Sequence, residues 1–139
     1  MSSEPEKLTY VVPFSHLDLF WAGTREECLS RGNAIIRRAL DILEAYADFT
    51  FLVETMNFMD QYLDCFPEER DRVATLAATG RLELGPLWAG IYQNLPGGET
   101  LARNSLLAKH YAREVLGIDP AIAHFGDLPG YTPQYPQIA

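Results

Sequence analysis

Cysteine is scarce: Cys28 and Cys65 are the only two in 139 residues, and no C-x-x-C pair occurs. A disulfide-knit module or a zinc ribbon is therefore excluded. Each cysteine falls in a predicted helix, far from the other, so both read as reduced thiols that pack or face solvent. Basic residues are also few, 11 Lys and Arg against 19 Asp and Glu, giving a formal net charge of −8. Arg37-Arg38 is the only adjacent basic pair, which leaves no clustered surface for nucleic acid. No apolar run approaches the roughly 20 residues of a membrane span. The stretch Met1–Lys7 is polar and acidic, unlike a secretory signal, and a cytoplasmic location is expected. Internal repeats, low-complexity tracts and linkers are missing too. What remains, 47% hydrophobic and 22% charged residues, suits one globular domain able to bury a core.

The order of predicted elements is β-α-β-α-β-α-β. Leu8–Ser15 is β-branched and aromatic, a buried strand by composition. Thr24-Arg25-Glu26-Glu27 forms a capping box, and the helix it opens is predicted to reach Ala47. Leu29, Ile36, Leu40, Leu43 and Ala47 recur there at three- and four-residue spacing. Phe49–Glu54 is a second strand. Asn57–Cys65 and Glu68–Ala78 read as helical, with Pro67 at a helix start and Gly80 at an exit. Leu82–Trp88 is a third strand, Glu99–Leu116 a helix stopped by Gly117, and Ala121–Phe125 a fourth strand. Alternation of this kind means parallel strands with right-handed crossovers. Ligands in such folds bind beyond the carboxyl ends of the strands, which collects His16, Asp18, Trp21, Glu54, Trp88 and Asp127 at one edge. The four steps suit either a small open sheet or half of a barrel. The terminal Tyr135–Ala139 stretch reads as leading into another helix, as though the chain were cut.

His16-Leu17-Asp18 closes the first strand. Alternation along an extended chain points His16 and Asp18 the same way. An imidazole and a carboxylate on one face are good ligands for a divalent cation such as zinc. A capping Asp beside a packed or solvated His fits the same three residues. Asp127 reads equally as a turn residue beside Pro129 and Gly130.

The loop Gly126-Asp127-Leu128-Pro129-Gly130-Tyr131, continued to Pro136-Gln137-Ile138, together with His16-Leu17-Asp18-Leu19-Phe20-Trp21, resembles the N-terminal catalytic domain of the family 38 glycoside hydrolases, the α-mannosidases. That family carries H-x-D-x-x-W after its first strand and D-x-F-G-[HY]-x-x-x-x-P-Q after its fourth. Trp88, Asn94-Leu95-Pro96, Gly98-Glu99-Thr100 and Arg103 match its intervening W-V-x-x-D-x-N-L-P-S-G-E-S-x-V-R stretch in spacing. The likeness spans about Tyr10 to Ile138. It implies that residues 1–139 are the N-terminal part of a family 38 parallel β/α barrel, supplying the first four of its βα steps. It also implies hydrolysis of α-mannosidic bonds in glycans by a zinc-dependent retaining mechanism. By resemblance, His16 and Asp18 are zinc ligands, Asp127 is both zinc ligand and catalytic nucleophile, and Trp21 packs against the sugar. The expected partner is a mannose-containing oligosaccharide or glycoside, with neither nucleic acid nor membrane.

Three departures stand out. Pro129 replaces an aromatic beside the nucleophile, Tyr92 replaces an acidic residue four positions after Trp88, and Val53 replaces a common Ser before Glu54. The family's fourth zinc ligand, a His, and its general acid, an Asp, match no position here. Little activity is therefore expected of the 139 residues alone, and half a barrel with open edges is expected to be marginally stable or to self-associate as a homo-oligomer. Other functional classes fit the same residues: a metal-dependent carbohydrate deacetylase or amidohydrolase, or a sugar-binding remnant without catalysis. Among secondary candidates, His124 has the wrong strand parity for a ligand and reads as packed against a helix. His110 reads as a surface or core-edge residue, and Glu54 as either support for the site or a helix cap. Trp88 reads as packing, and Gly97-Gly98 as a plain helix start.

Overall fold

The computed structural model describes residues 7–138. Three short strands, β1 (Phe14–Ser15), β2 (Phe51–Val53) and β3 (Leu82–Leu84), form one parallel sheet in the order β1-β2-β3. Phe14 pairs with Leu52, which pairs with Glu83, so these three side chains share one face of the sheet. Helix α1 (Arg25–Ala45) makes the first crossover, α2 (Met56–Cys65) and α3 (Arg70–Ala78) the second, and α4 (Gly98–Tyr111) follows β3. The fold is α/β, as the alternation predicts.

Helix α1 begins as the capping box requires. The Glu27 N–H donates to Thr24 Oγ1 at 3.3 Å, and the Thr24 N–H donates to Glu27 Oε2 at 2.7 Å. Its apolar stripe buries Ile36, Leu40 and Leu43 against Phe58, Met59 and Tyr62 of α2 and Val73 of α3. Fully burying an aliphatic side chain of this size contributes about 1.5–3 kcal/mol. The helix ends two residues short of the predicted Ala47. Tyr46 turns to an extended conformation while its N–H still reaches the Ile42 carbonyl, and Ala47 lies exposed beyond it. Helix α4 continues through a π-turn, Ala112–Leu116, to Gly117, whose φ of +68° gives the left-handed exit.

Two predicted strands are corrected. Residues 8–12 pair with nothing and lie exposed, Tyr10 at 84%. Only Pro13 onward joins the sheet, beginning with its carbonyl, which accepts from the Leu52 N–H at 2.9 Å. Residues 121–125 form no strand, so the described residues hold three strands where four were predicted. This segment meets the sheet by its face and not by an edge: the His124 ring packs edge-on to Phe14, centroids 4.4 Å apart. The predicted third strand is also shorter, and its continuation is tied to the first turn of α2. The Leu87 and Trp88 carbonyls accept from the Met56 and Asn57 N–H groups at 2.8 and 3.0 Å. A second small core of Leu87, Leu101 and Tyr135 ties the C-terminal loop to α4, and Ser105 Oγ lies 3.1 Å from the Tyr135 hydroxyl.

Candidate functional site

The loops following β1 and β2 and the loop around Asp127 converge at the carboxyl end of the sheet. His16 lies one residue past β1. Its Nε2 is 3.2 Å from Asp18 Oδ2, and its Nδ1 is 2.8 Å from Glu54 Oε2. Burial disfavours the imidazolium, but the hydrogen bond His16 donates to Glu54 and the negative charges of Glu54, Asp18 and Asp127 outweigh it and raise the His16 pKa above its usual value. Glu54 accepts a second bond on Oε1, from the Gly126 N–H at 2.9 Å.

A hollow of about 410 Å³ is lined by His16, Asp18, Trp21, Tyr92, Asp127 and Leu128, among others. It gathers the four residues singled out in the sequence. Trp21 is 74% exposed, and Asp127 is exposed beside it. A neighbouring hollow of about 560 Å³, lined by Asp18, Tyr92, Leu95, Pro96 and Leu128, opens from the same rim. The turn after His16 is tightly wound, with Phe20 at φ +66° and Ala22 at φ +53°; Asp127 itself sits at φ +43°. Left-handed backbone costs a residue other than Gly about 1–2 kcal/mol, less for Asp. Among the described residues, no group of three His, Cys, Asp or Glu side chains is closed tightly enough to hold a metal ion.

The secondary candidates resolve as follows. His124 packs on Phe14 of the sheet instead of a helix, and its Nε2 is buried without a partner. His110 is exposed. Trp88 packs edge-on to Tyr111, with centroids 5.8 Å apart, and its N–H donates to the Asn104 carbonyl. Gly97 is a plain N-cap without a side-chain bond. Cys28 is buried and Cys65 exposed, both free.

Contacts between the motifs escaped the sequence. Gly130 stands against the Asn94 side-chain amide, where any Cβ would overlap it. Gln93, 5% exposed, accepts from the Thr132 N–H at 3.1 Å. Asn104 clamps Ala89 by both backbone groups, at 2.9 and 3.0 Å. The only signal for Asn104 was a polar residue inside an apolar-periodic helix.

Comparison with known proteins places this geometry. The glycosyl hydrolases family 38 N-terminal domain matches residues 7–139. α-Mannosidase G of Dictyostelium discoideum is 23% identical over 138 residues, 99% of this chain and 13% of its own length. α-Mannosidase 2C1 of Mus musculus is 23% identical over 136 residues, 97% of this chain and 13% of its own. The crystal structure of an α-mannosidase from Enterococcus faecalis superposes with a TM-score of 0.81 at 27% identity, covering 91% of this chain and 14% of that one. The chain thus spans about 13% of the length of the curated relatives it matches. With the family's motifs set around one hollow at the carboxyl end of a parallel sheet, the chain belongs to the family 38 glycosyl hydrolases as an N-terminal domain.

Proposed function

We propose that this domain takes part in zinc-dependent, retaining hydrolysis of α-mannosidic bonds, with Asp127 as nucleophile. The observation that carries the reading is the convergence of His16, Asp18 and Trp21, from the loop after β1, and Asp127, from a loop more than a hundred positions later, on one hollow. The donor set fits zinc in kind: an imidazole whose far nitrogen is anchored by a carboxylate, and two carboxylates on the same wall. His16, Asp18 and Asp127 would hold the ion. Bound there, it would engage vicinal hydroxyls of the sugar and favour a distorted ring.

The chain's own residues do the remaining work. The exposed indole of Trp21 offers a flat apolar face to the sugar's C–H groups. Asp127, exposed in the hollow and held in a strained conformation, presents its carboxylate for attack on the anomeric carbon. Protonation of the departing oxygen needs a second carboxyl about 5 Å from the nucleophile. In this proposal that acid, and the fourth ligand, belong to a larger β/α barrel of which this domain is one part.

The test is covalent labelling of the enzyme carrying this domain with a fluorinated mannosyl fluoride. A glycosyl adduct mapped to Asp127 by mass spectrometry is the expected result. Turnover that survives Asp127→Asn overturns the reading. The alternative is a sugar-binding domain without catalysis, for which the exposed Trp21 indole at the hollow would suffice. Absence of both adduct and turnover, with glycan binding intact, would establish that alternative.

A further inference from the structure

Glu54 follows β2 directly and is 4% exposed, so its carboxylate has left water and must find partners. Its backbone is fixed from both sides. The Gly85 N–H donates to the Val53 carbonyl at 3.0 Å, and the Met56 N–H donates to the Leu87 carbonyl at 2.8 Å. Both side-chain oxygens are then spoken for. Oε2 takes His16 Nδ1 at 2.8 Å, and Oε1 takes the Gly126 N–H at 2.9 Å. These partners lie 38 and 72 positions away, in the two loops that carry His16-Leu17-Asp18 and Asp127. Capping α2 is not its role: Thr55 is the N-cap there and receives no side-chain bond.

A carboxylate can only accept, so the His16 nitrogen facing Glu54 carries a proton. The rival acceptor is weaker. Asp18 Oδ2 is 3.2 Å from Nε2, and the Asp18 side chain is 41% exposed, where water competes for it. In the neutral ring the proton therefore sits on Nδ1, and the Nε2 lone pair faces Asp18. At the other oxygen, the Gly126 N–H fixes the residue just before Asp127, whose backbone is left-handed at φ +43°.

We propose that Glu54 is the positioning residue of this site: one buried carboxylate sets the ring tautomer of His16 and anchors the Asp127 loop. The inference deepens the zinc-glycosidase reading and relies on it only for what the site then binds.

The experiment uses the 139-residue protein labelled with ¹⁵N. Long-range ¹H–¹⁵N spectra at alkaline pH, where the ring is neutral, report the His16 tautomer, and amide exchange reports Gly126. In the wild type, Nδ1–H and a Gly126 amide exchanging at least about tenfold slower than exposed loop amides are expected. Glu54→Gln matches the carboxylate in size, and its carbonyl still accepts from Gly126. Its amide NH₂, however, donates to His16, so the tautomer should switch to Nε2–H while Gly126 stays protected. Zinc affinity, measured by calorimetric titration, should fall about ten- to hundred-fold in that variant. An Nε2–H tautomer in the wild type, or no switch in folded Glu54→Gln, overturns the proposal. Should the variant fail to fold, the wild-type spectrum decides alone. A wild type that shows the Nδ1–H tautomer and the slow Gly126 amide, while the complete enzyme carrying this domain holds no zinc, sinks the metal reading and leaves the role of Glu54 standing.

Discussion

Gly85 stands directly against the carbonyl of Glu54, so close that a Cβ at position 85 would overlap the oxygen. The contact is backbone on backbone and has no flexible side chain to yield. It brings the end of β3 against the residue that bonds both His16 and Gly126. Gly85→Ala should therefore wedge the two strand ends apart, at about 1–3 kcal/mol for overpacking. Urea denaturation measures the loss. Because the displaced residue is Glu54, the His16 ring resonances should move as well. A variant as stable as the parent, with an unshifted His16, would show that the strand ends separate freely.

Asp18 is the exposed partner of His16 Nε2. If His16, Asp18 and Asp127 hold zinc, bond lengths should be about 2.0–2.2 Å. Replacing Asp18 by Asn removes the anionic donor at nearly constant size, so zinc affinity should fall more than about tenfold. In a complete enzyme, activity should fall with it. Unchanged zinc content and turnover would remove Asp18 from the site.

Glu83 lies mid-strand in β3, where burial pushes its carboxyl above the usual carboxylate range. A carboxyl whose folded pKa is raised favours the folded state below its unfolded pKa. That contribution is lost as pH rises through the folded value. Glu83→Gln should thus raise the urea midpoint modestly at pH 7, where the parent carries a charge in a partly dry place. The advantage should vanish near pH 3, where both side chains are neutral. A midpoint difference that persists in acid would assign the effect to packing.

The purified 139-residue chain should give no measurable turnover of an aryl α-mannoside with zinc added, since no second carboxyl is matched as the acid. Robust turnover abolished by Asp127→Asn would mean that the catalytic set is complete within these residues.

Much of the scaffold was legible because its signals are local. Thr24 and Glu27 sit three apart and cap α1 as read, and Ile36, Leu40 and Leu43 face the core at helical spacing. Leu8–Val12 and Ala121–Phe125 misled because a short apolar run has the same composition whether it pairs along an edge or covers a face. His124 chose the face through Phe14. The residues lining the hollow were visible as motifs, whereas the tie between them was not. Glu54 could be a cap or a support on sequence alone, since its partners lie 38 and 72 positions away.

The meeting of Gly130 and Asn94 has an evolutionary consequence. Gly130 is closed to a side chain twice over, by its φ of +82° and by the Asn94 amide occupying the space a Cβ would need. A descendant of this sequence that gains a side chain at 130 must first shorten or relocate the one at 94. The two positions should therefore covary: lineages retaining Asn at 94 should keep Gly at 130, and lineages losing Gly should carry a smaller residue at 94. Drift in either loop is then constrained by the other, although 36 positions of sequence separate them.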